Sequence, residues 1–196
     1  MRSILRKFII PIPFLLGLIG IAVSPAAAVE TYTLDPTNCY VVFRIMYLGV
    51  GYTFGGFQGP TGKMVFDDNA QANSSIEMQV QASMVSTLVS KRDNHIKSAD
   101  FLNADKYPAI SFKSRSVRKT GNDQYDIDGD LMLLGKKRPI TVTAVKTGEA
   151  KDPWGKYRVG FETAFTIKRS EFGMDFMLNG LSDEVQLTVS VQGVRQ

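Results

Sequence analysis

Tyr157-Arg158-Val159-Gly160-Phe161-Glu162-Thr163-Ala164-Phe165-Thr166-Ile167-Lys168 keeps one period throughout. Tyr157, Val159, Phe161, Thr163, Phe165 and Ile167 fall on one side, with Arg158, Glu162, Thr166 and Lys168 on the other. A period of two over eleven positions is a strand with one buried face; on a helix the same residues would be scattered around the axis. The pattern spreads in both directions. Val185, Leu187, Val189 and Val191 oppose Gln186, Thr188, Ser190 and Gln192, and Ile140, Val142 and Ala144 oppose Thr141 and Thr143. Upstream, Ile127, Gly129, Leu131 and Leu133 alternate with Asp128 and Asp130. Ile76, Met78, Val80 and Ala82 alternate with Glu77, Gln79 and Gln81, and Val41, Phe43, Ile45 and Tyr47 share a face. With shorter runs at 31–34, 62–66 and 110–117, about eight or nine strands are expected. The segments 67–69, 119–123 and 151–155 supply the Asp, Asn, Gly and Pro of hairpin turns.

One stretch breaks the period. Residues 86–104 place Leu88, Arg92 and Ile96 at helical spacing behind Ser86-Thr87, which predicts a short helical insert capped by one of the two hydroxyls. Phe101 and Leu102 are expected to form an apolar plug. The glycines between 49 and 59 read as bends and close backbone approaches in a curved sheet and do not form a phosphate-binding loop. An all-β chain of this size hides its edges in a sandwich or a closed barrel. Long strands with one polar face each, together with a helical insert, favour a barrel with a lid. The opposite orientation, an eight-stranded membrane barrel with a polar lumen, is opposed by weak aromatic girdles.

The chain has 196 residues with 23 Lys plus Arg against 19 Asp plus Glu, a net charge of +4. Arg2, Arg6 and Lys7 precede an uncharged run that ends in Ser24-Pro25-Ala26-Ala27-Ala28. This is the layout of a secretory signal peptide, with cleavage expected after Ala28 and export to the periplasm. A retained membrane anchor is the alternative, opposed by Pro11, Pro13, Gly17 and Gly20 inside the run. Without residues 1–28 the balance is 20 against 19, so nucleic acid loses its electrostatic argument. Cys39 is the only cysteine, which excludes an internal disulfide and makes a buried thiol the expectation.

His95 is the only histidine, so no cluster of imidazoles can hold a metal, and no G-x-S-x-G elbow accompanies it. Asp126, Asp128 and Asp130 alternate along one strand and read as a solvated outer face, without the spacing of a calcium loop. Lys136-Lys137-Arg138 before Pro139 reads as a charged turn.

Several islands in order along residues 31–194 resemble the YceI-like family of bacterial proteins, often described as polyisoprenoid-binding. They are Tyr32 with Asp35, then Val41 and Phe43 through Leu48-Gly49, and Gly56-Phe57 with Gly59 and Gly62. The most specific is Ser86-Thr87 followed by Arg92-Asp93-Asn94-His95-Ile96-Lys97-Ser98-Ala99-Asp100-Phe101-Leu102, with Tyr107-Pro108 beyond. Gly129-Asp130-Leu131, Arg138-Pro139-Ile140 and Lys168-Arg169-Ser170-Glu171-Phe172-Gly173 complete the set. The resemblance implies an extended eight-stranded antiparallel lipocalin-like barrel over residues 29–196, whose cavity takes an isoprenoid or a ubiquinone-like lipid in the periplasm. It also implies association with stress responses, or with an inner-membrane cytochrome of b type. Three positions where the family usually carries histidine are Asn38, Tyr47 and Leu134 here, so chemistry needing several imidazoles is not carried over.

Alternation and resemblance together assign the tail site to Phe43, Ile45, Tyr47, Leu131, Leu133, Phe161, Phe165, Leu187 and Val189. Asn38, Arg92, His95 and Lys97 are the candidates for a headgroup at the mouth, with Arg92-Asp93 alternatively anchoring the insert. The functions weighed are a non-enzymatic lipid carrier or store, an enzyme acting on such a lipid, and an envelope interaction protein with a solid core. A lone His95 and Cys39 are meagre equipment for the enzyme.

Overall fold

The computed structural model describes residues 29–196; the expected export signal lies outside them. The strands are β1 (Glu30–Leu34), β2 (Tyr40–Tyr47), β3 (Gly51–Phe57), β4 (Thr61–Phe66), β5 (Ser75–Gln81), β6 (Val85–Ser86), β7 (Ala109–Gly121), β8 (Gln124–Leu133), β9 (Lys136–Lys151), β10 (Tyr157–Lys168) and β11 (Leu181–Arg195). Helix α1 (Ser90–Lys97) lies between β6 and β7. The order β1-β4-β5-β7-β8-β9-β10-β11 returns to β1, all antiparallel, so the sheet closes. Beside β11, β2 continues the line of β1; β3 pairs β2 as β4 pairs β1, and β6 extends β5 to reach β3. These six segments are halves of three interrupted staves, and the closed barrel has eight.

The interruptions at 35–39, 58–60 and 82–84 lie side by side, as the register Val41–Phe57–Val85 across the three staves shows. Where the ladder fails, other groups replace it. The Asp35 N–H donates to the Gln192 carbonyl at 2.9 Å, and the Gln192 N–H donates to Cys39 Sγ at 3.3 Å. Cys39 is thus a buried thiol with a structural contact, and burial pushes its pKa up, away from the reactive thiolate. Asp35 accepts from Arg158 Nη1 at 2.7 Å and from the Asn38 amide at 2.9 Å.

Arg158 foremost, then Asn38, holds the Asp35 carboxyl down at about 2. A carboxylate with a depressed folded-state pKa adds stability that is complete above its unfolded value, near pH 4, and disappears as pH falls toward 2. Asp35→Asn is therefore expected to cost on the order of 2 kcal/mol at pH 7 and little at pH 2. Melting temperatures of the two proteins between pH 2 and 7 check this, and parallel curves would contradict it.

Along β8, β9, β10 and β11 the apolar rows are buried inside, including Leu131, Leu133, Val142, Ala144, Val159, Phe161, Val189 and Val191. Glu162, Thr166 and Lys168 face out. This excludes the membrane-barrel orientation, which needs a polar lumen and an apolar exterior. The acidic row is indeed external: Thr143 donates to Asp126, Thr141 and Ser116 donate to Asp128, and Arg115 and Lys137 face Asp130.

Two local expectations are corrected and a third is extended. The glycine-rich run holds the bends expected of it, Gly49 and Gly59 at positive φ, and the close approach, Gly55 leaving room for the Phe43 ring that a Cβ would strike; between them lies a further strand, β3. Lys136-Lys137-Arg138 lies in β9, and the turn is Leu134-Gly135, both with positive φ, the geometry of a tight hairpin. Within 86–104 only Ser90–Lys97 is α-helical; its N-cap is Val89, with no side-chain hydrogen bond, in place of the expected Ser86 or Thr87. The Asp93 side chain instead reaches back to Thr87.

Candidate functional site: an apolar chamber closed at one end

The barrel interior holds a cavity of about 620 Å³, so the core is not packed solid. Its floor is an aromatic cluster, Phe66, Tyr125 and Phe161, packed edge to face with ring centroids 5.0–5.9 Å apart. Beneath it the Tyr125 hydroxyl donates to Asp68 at 2.7 Å, and Lys119 Nζ lies 2.6 Å from the same oxygen. Burial, then the bond to Asp68, raises the Tyr125 pKa well above the ordinary phenol range. The polar floor therefore stays hydrogen-bonded and seals that end.

The walls are the inward rows of the staves. Phe43, Ile45, Tyr47, Leu131, Leu133, Phe161, Phe165, Leu187 and Val189, the nine residues expected from the sequence, all line the chamber. Their surroundings differ. Phe161 is buried in the floor, whereas Phe165, Ile45 and Leu187 are half-buried and border open volume. Also lining it, and not singled out by sequence reasoning, are Phe112, Ile127, Ile140, Ile167 and Val185. Alternation alone contained that signal for most of them.

At the other end α1 and the segment 174–181 frame the mouth. His95, Phe101 and Phe176 form a second edge-to-face cluster with centroids 5.1–5.3 Å apart. His95 Nε2 lies 2.8 Å from Asp100 Oδ2. Arg92, His95 and Ile96 line the chamber because residues three and four apart share one helix face. Lys97 is one residue off that face and does not line it. Asn38 is also absent from the chamber; its amide is engaged by Asp35 at the wall interruption, which removes it from the expected mouth set.

Arg92 and Asp93 converge on Thr87. Arg92 Nε donates to Thr87 Oγ1 at 2.7 Å and Nη2 to its carbonyl at 3.0 Å. Asp93 Oδ1 accepts from the Thr87 N–H at 2.7 Å and its hydroxyl at 2.5 Å. The pair anchors the insert to the end of β6, which is the structural role weighed above. Leu102 and Ala104 then pack with Leu131 and Leu133, fixing the lid to the wall.

The other half of the rim depends on Arg169. Its side chain is fully buried and donates to the carbonyls of Ser182, Met174, Phe176 and Leu181 at 2.8–3.0 Å. Four main-chain acceptors on one guanidinium fold 174–182 into a fixed loop. Ser170 donates to both oxygens of Asp183 and closes the same turn.

A closed eight-stave barrel around an apolar chamber, open beneath a helical insert, defines a lipocalin-like architecture. Residues 32–193 match the YceI-like domain, and the chain belongs to the YceI-like family. It is 39% identical over 172 residues to a UPF0312 protein of Azotobacter vinelandii, covering 87% of this chain and 90% of that one. The structure of Burkholderia cenocepacia BcnA superposes with a TM-score of 0.74 at 21% identity, over 81% of this chain and 98% of that one. A polyisoprenoid binding domain from Saccharophagus degradans, implicated in plant cell wall breakdown, gives 0.66 at 12% identity, over 84% and 98%. At those identities the two structures speak to the fold.

Proposed function

We propose that the protein binds a long-chain isoprenoid or quinone lipid in its chamber, in the periplasm, as a non-enzymatic carrier or store. The observation that carries this is the chamber itself: one end sealed by Phe66, Tyr125 and Phe161, the other open, with an apolar wall between. Family membership and the polyisoprenoid-binding relative of the same fold support it. Burying about 300 Å² of tail at roughly 25 cal/mol per Å² supplies on the order of 7 kcal/mol before ordering costs. That reaches micromolar binding without a strong polar contact. Arg92 and His95 stand where a headgroup would emerge.

Mass spectrometry of an organic extract from protein purified out of its native envelope tests the reading. The expected result is a stoichiometric isoprenoid or quinone, whose headgroup the same spectrum identifies. No lipid, and no uptake of added isoprenoids by folded protein, would overturn it. A quinone would make a b-type cytochrome of the inner membrane the natural exchange partner.

A further inference from the structure

The mouth is surrounded by loops that break a rule of turn chemistry. Positive φ favours Gly, Asn and Asp, because a larger Cβ substituent crowds the backbone. At the floor end such positions are Asp123, Gly148 and Gly155; at the mouth end Gly49, Asn103, Gly135 and Gly173 keep the rule, while Leu48, Leu88, Leu134 and Met177 break it with φ of 51°, 63°, 52° and 56°. Leu134 packs against the core and Met177 against Gly180, but Leu48 and Leu88 are not driven there by burial. Leu88 is 96% exposed and Val50 87%, and Leu48, Val89, Phe176, Met177 and Leu178 are exposed too. Three separate loops are involved: the β2–β3 hairpin, the β6–α1 joint and the segment 174–181. They adjoin, since the Leu48 N–H donates to the Gly180 carbonyl at 2.7 Å and Phe176 packs on His95 of α1.

We infer that these tips dock the mouth onto the surface of a lipid bilayer. The occupant follows from shape and continuity. A ring of independent apolar projections around an opening needs no matching relief, and a fluid interface accepts each of them separately. Tyr47, Phe176 and Met177 are at once exposed and part of the chamber lining, so the apolar surface runs from the rim inward without a break. Charge at this end is mixed, Lys91, Lys97, Lys106, Lys136, Lys137, Arg138 and Lys168 against Asp100, Asp105, Glu171, Asp175 and Glu184, an excess too small to replace apolar insertion as the main contact. The inference rests on the proposed lipid ligand in one respect. A tail that leaves a membrane through water exposes every methylene, whereas mouth-first contact spares it that exposure.

The fold supplies its own control. Trp154, the only tryptophan, is 81% exposed in the β9–β10 turn at the floor end, where Glu30 and the start of the barrel also lie. Vesicles of phosphatidylcholine brominated on the acyl chains serve as the probe. In a W154F background, L88W is expected to be quenched on adding vesicles, with little change in 0.5 M salt, while Trp154 of the unsubstituted protein is not. L88N with V50S is expected to lower vesicle partitioning at least tenfold, from the lost apolar burial of two side chains. It should leave the melting temperature unchanged or higher, because Asn suits the left-handed backbone at 88. Absence of L88W quenching overturns the inference, as does quenching of Trp154, which would mean contact through the floor end. An L88W emission shift that follows protein concentration without vesicles would assign the surface to a second copy of the chain. Retained lipid without quenching defeats docking alone; quenching by protein that takes up no lipid defeats the chamber reading alone.

Discussion

Arg169→Met is expected to lose about 3–5 kcal/mol of stability, seen as a fall in melting temperature of about 10 °C or more. Methionine has similar length and no donors, so four carbonyls that now share one guanidinium would be left inside without partners. Partial solvation of the loop would recover some of this, at the expense of the fixed conformation of 174–182. Arg169→Lys keeps the charge but has neither the planar fork nor its reach, and should fall between the two. Burial lowers the Arg169 pKa, and the charges of Asp183 and Asp175 oppose that effect. Thermal and urea unfolding measure the effect. A melting temperature within a degree or two of the parent would show that the loop does not depend on this residue.

The second large effect concerns the ligand. Ile45 on β2 and Ile127 on β8 lie four staves apart in an eight-stave ring, on opposite walls, and both are half-buried against open volume. Ile45→Trp with Ile127→Trp fills the chamber from both sides with apolar atoms. Co-purifying lipid is expected to fall at least tenfold while the protein stays folded, since the rings enter existing space. Loss of fold in the double variant would move the test to the single substitutions. The phenylalanines separate by position. Phe161→Ala removes a floor ring packed on Phe66 and Tyr125 and should destabilise by about 3–5 kcal/mol. Phe165→Ala borders open volume and should weaken lipid retention with a smaller effect on stability. Equal retention in parent, Phe165→Ala and the tryptophan variant would place the lipid outside the chamber.

Strand content and inward rows were legible because alternation reports a two-sided environment directly. Residues 157–168 were expected as a strand and form β10 with those bounds. β3 was not legible: its glycines lack the side chains that carry alternation, and the reason for Gly55 is the Phe43 ring on β2, twelve residues earlier. The mouth was half legible. Arg92 and His95 reach the chamber, but Asn38 is held by Asp35 at the interruption between β1 and β2, and alternation carries no sign of that break in the stave. The structural role of Arg169 was hidden too, since its partners are carbonyls, which every residue has.

The order in which the staves are joined has a consequence for folding. Nearly every neighbour in the ring is also a neighbour along the chain, so most pairings form by local hairpin closure at low entropic cost. The one exception is the contact of β11 with β1 and β2, where Cys39 meets Gln192 across 153 residues. A ribosome delivers β1 and β2 first and β11 last. The first stave made must therefore wait, one edge unpaired, until the last arrives. Asp35–Arg158 and Cys39–Gln192 sit along that seam, and ring closure is the step at which they form.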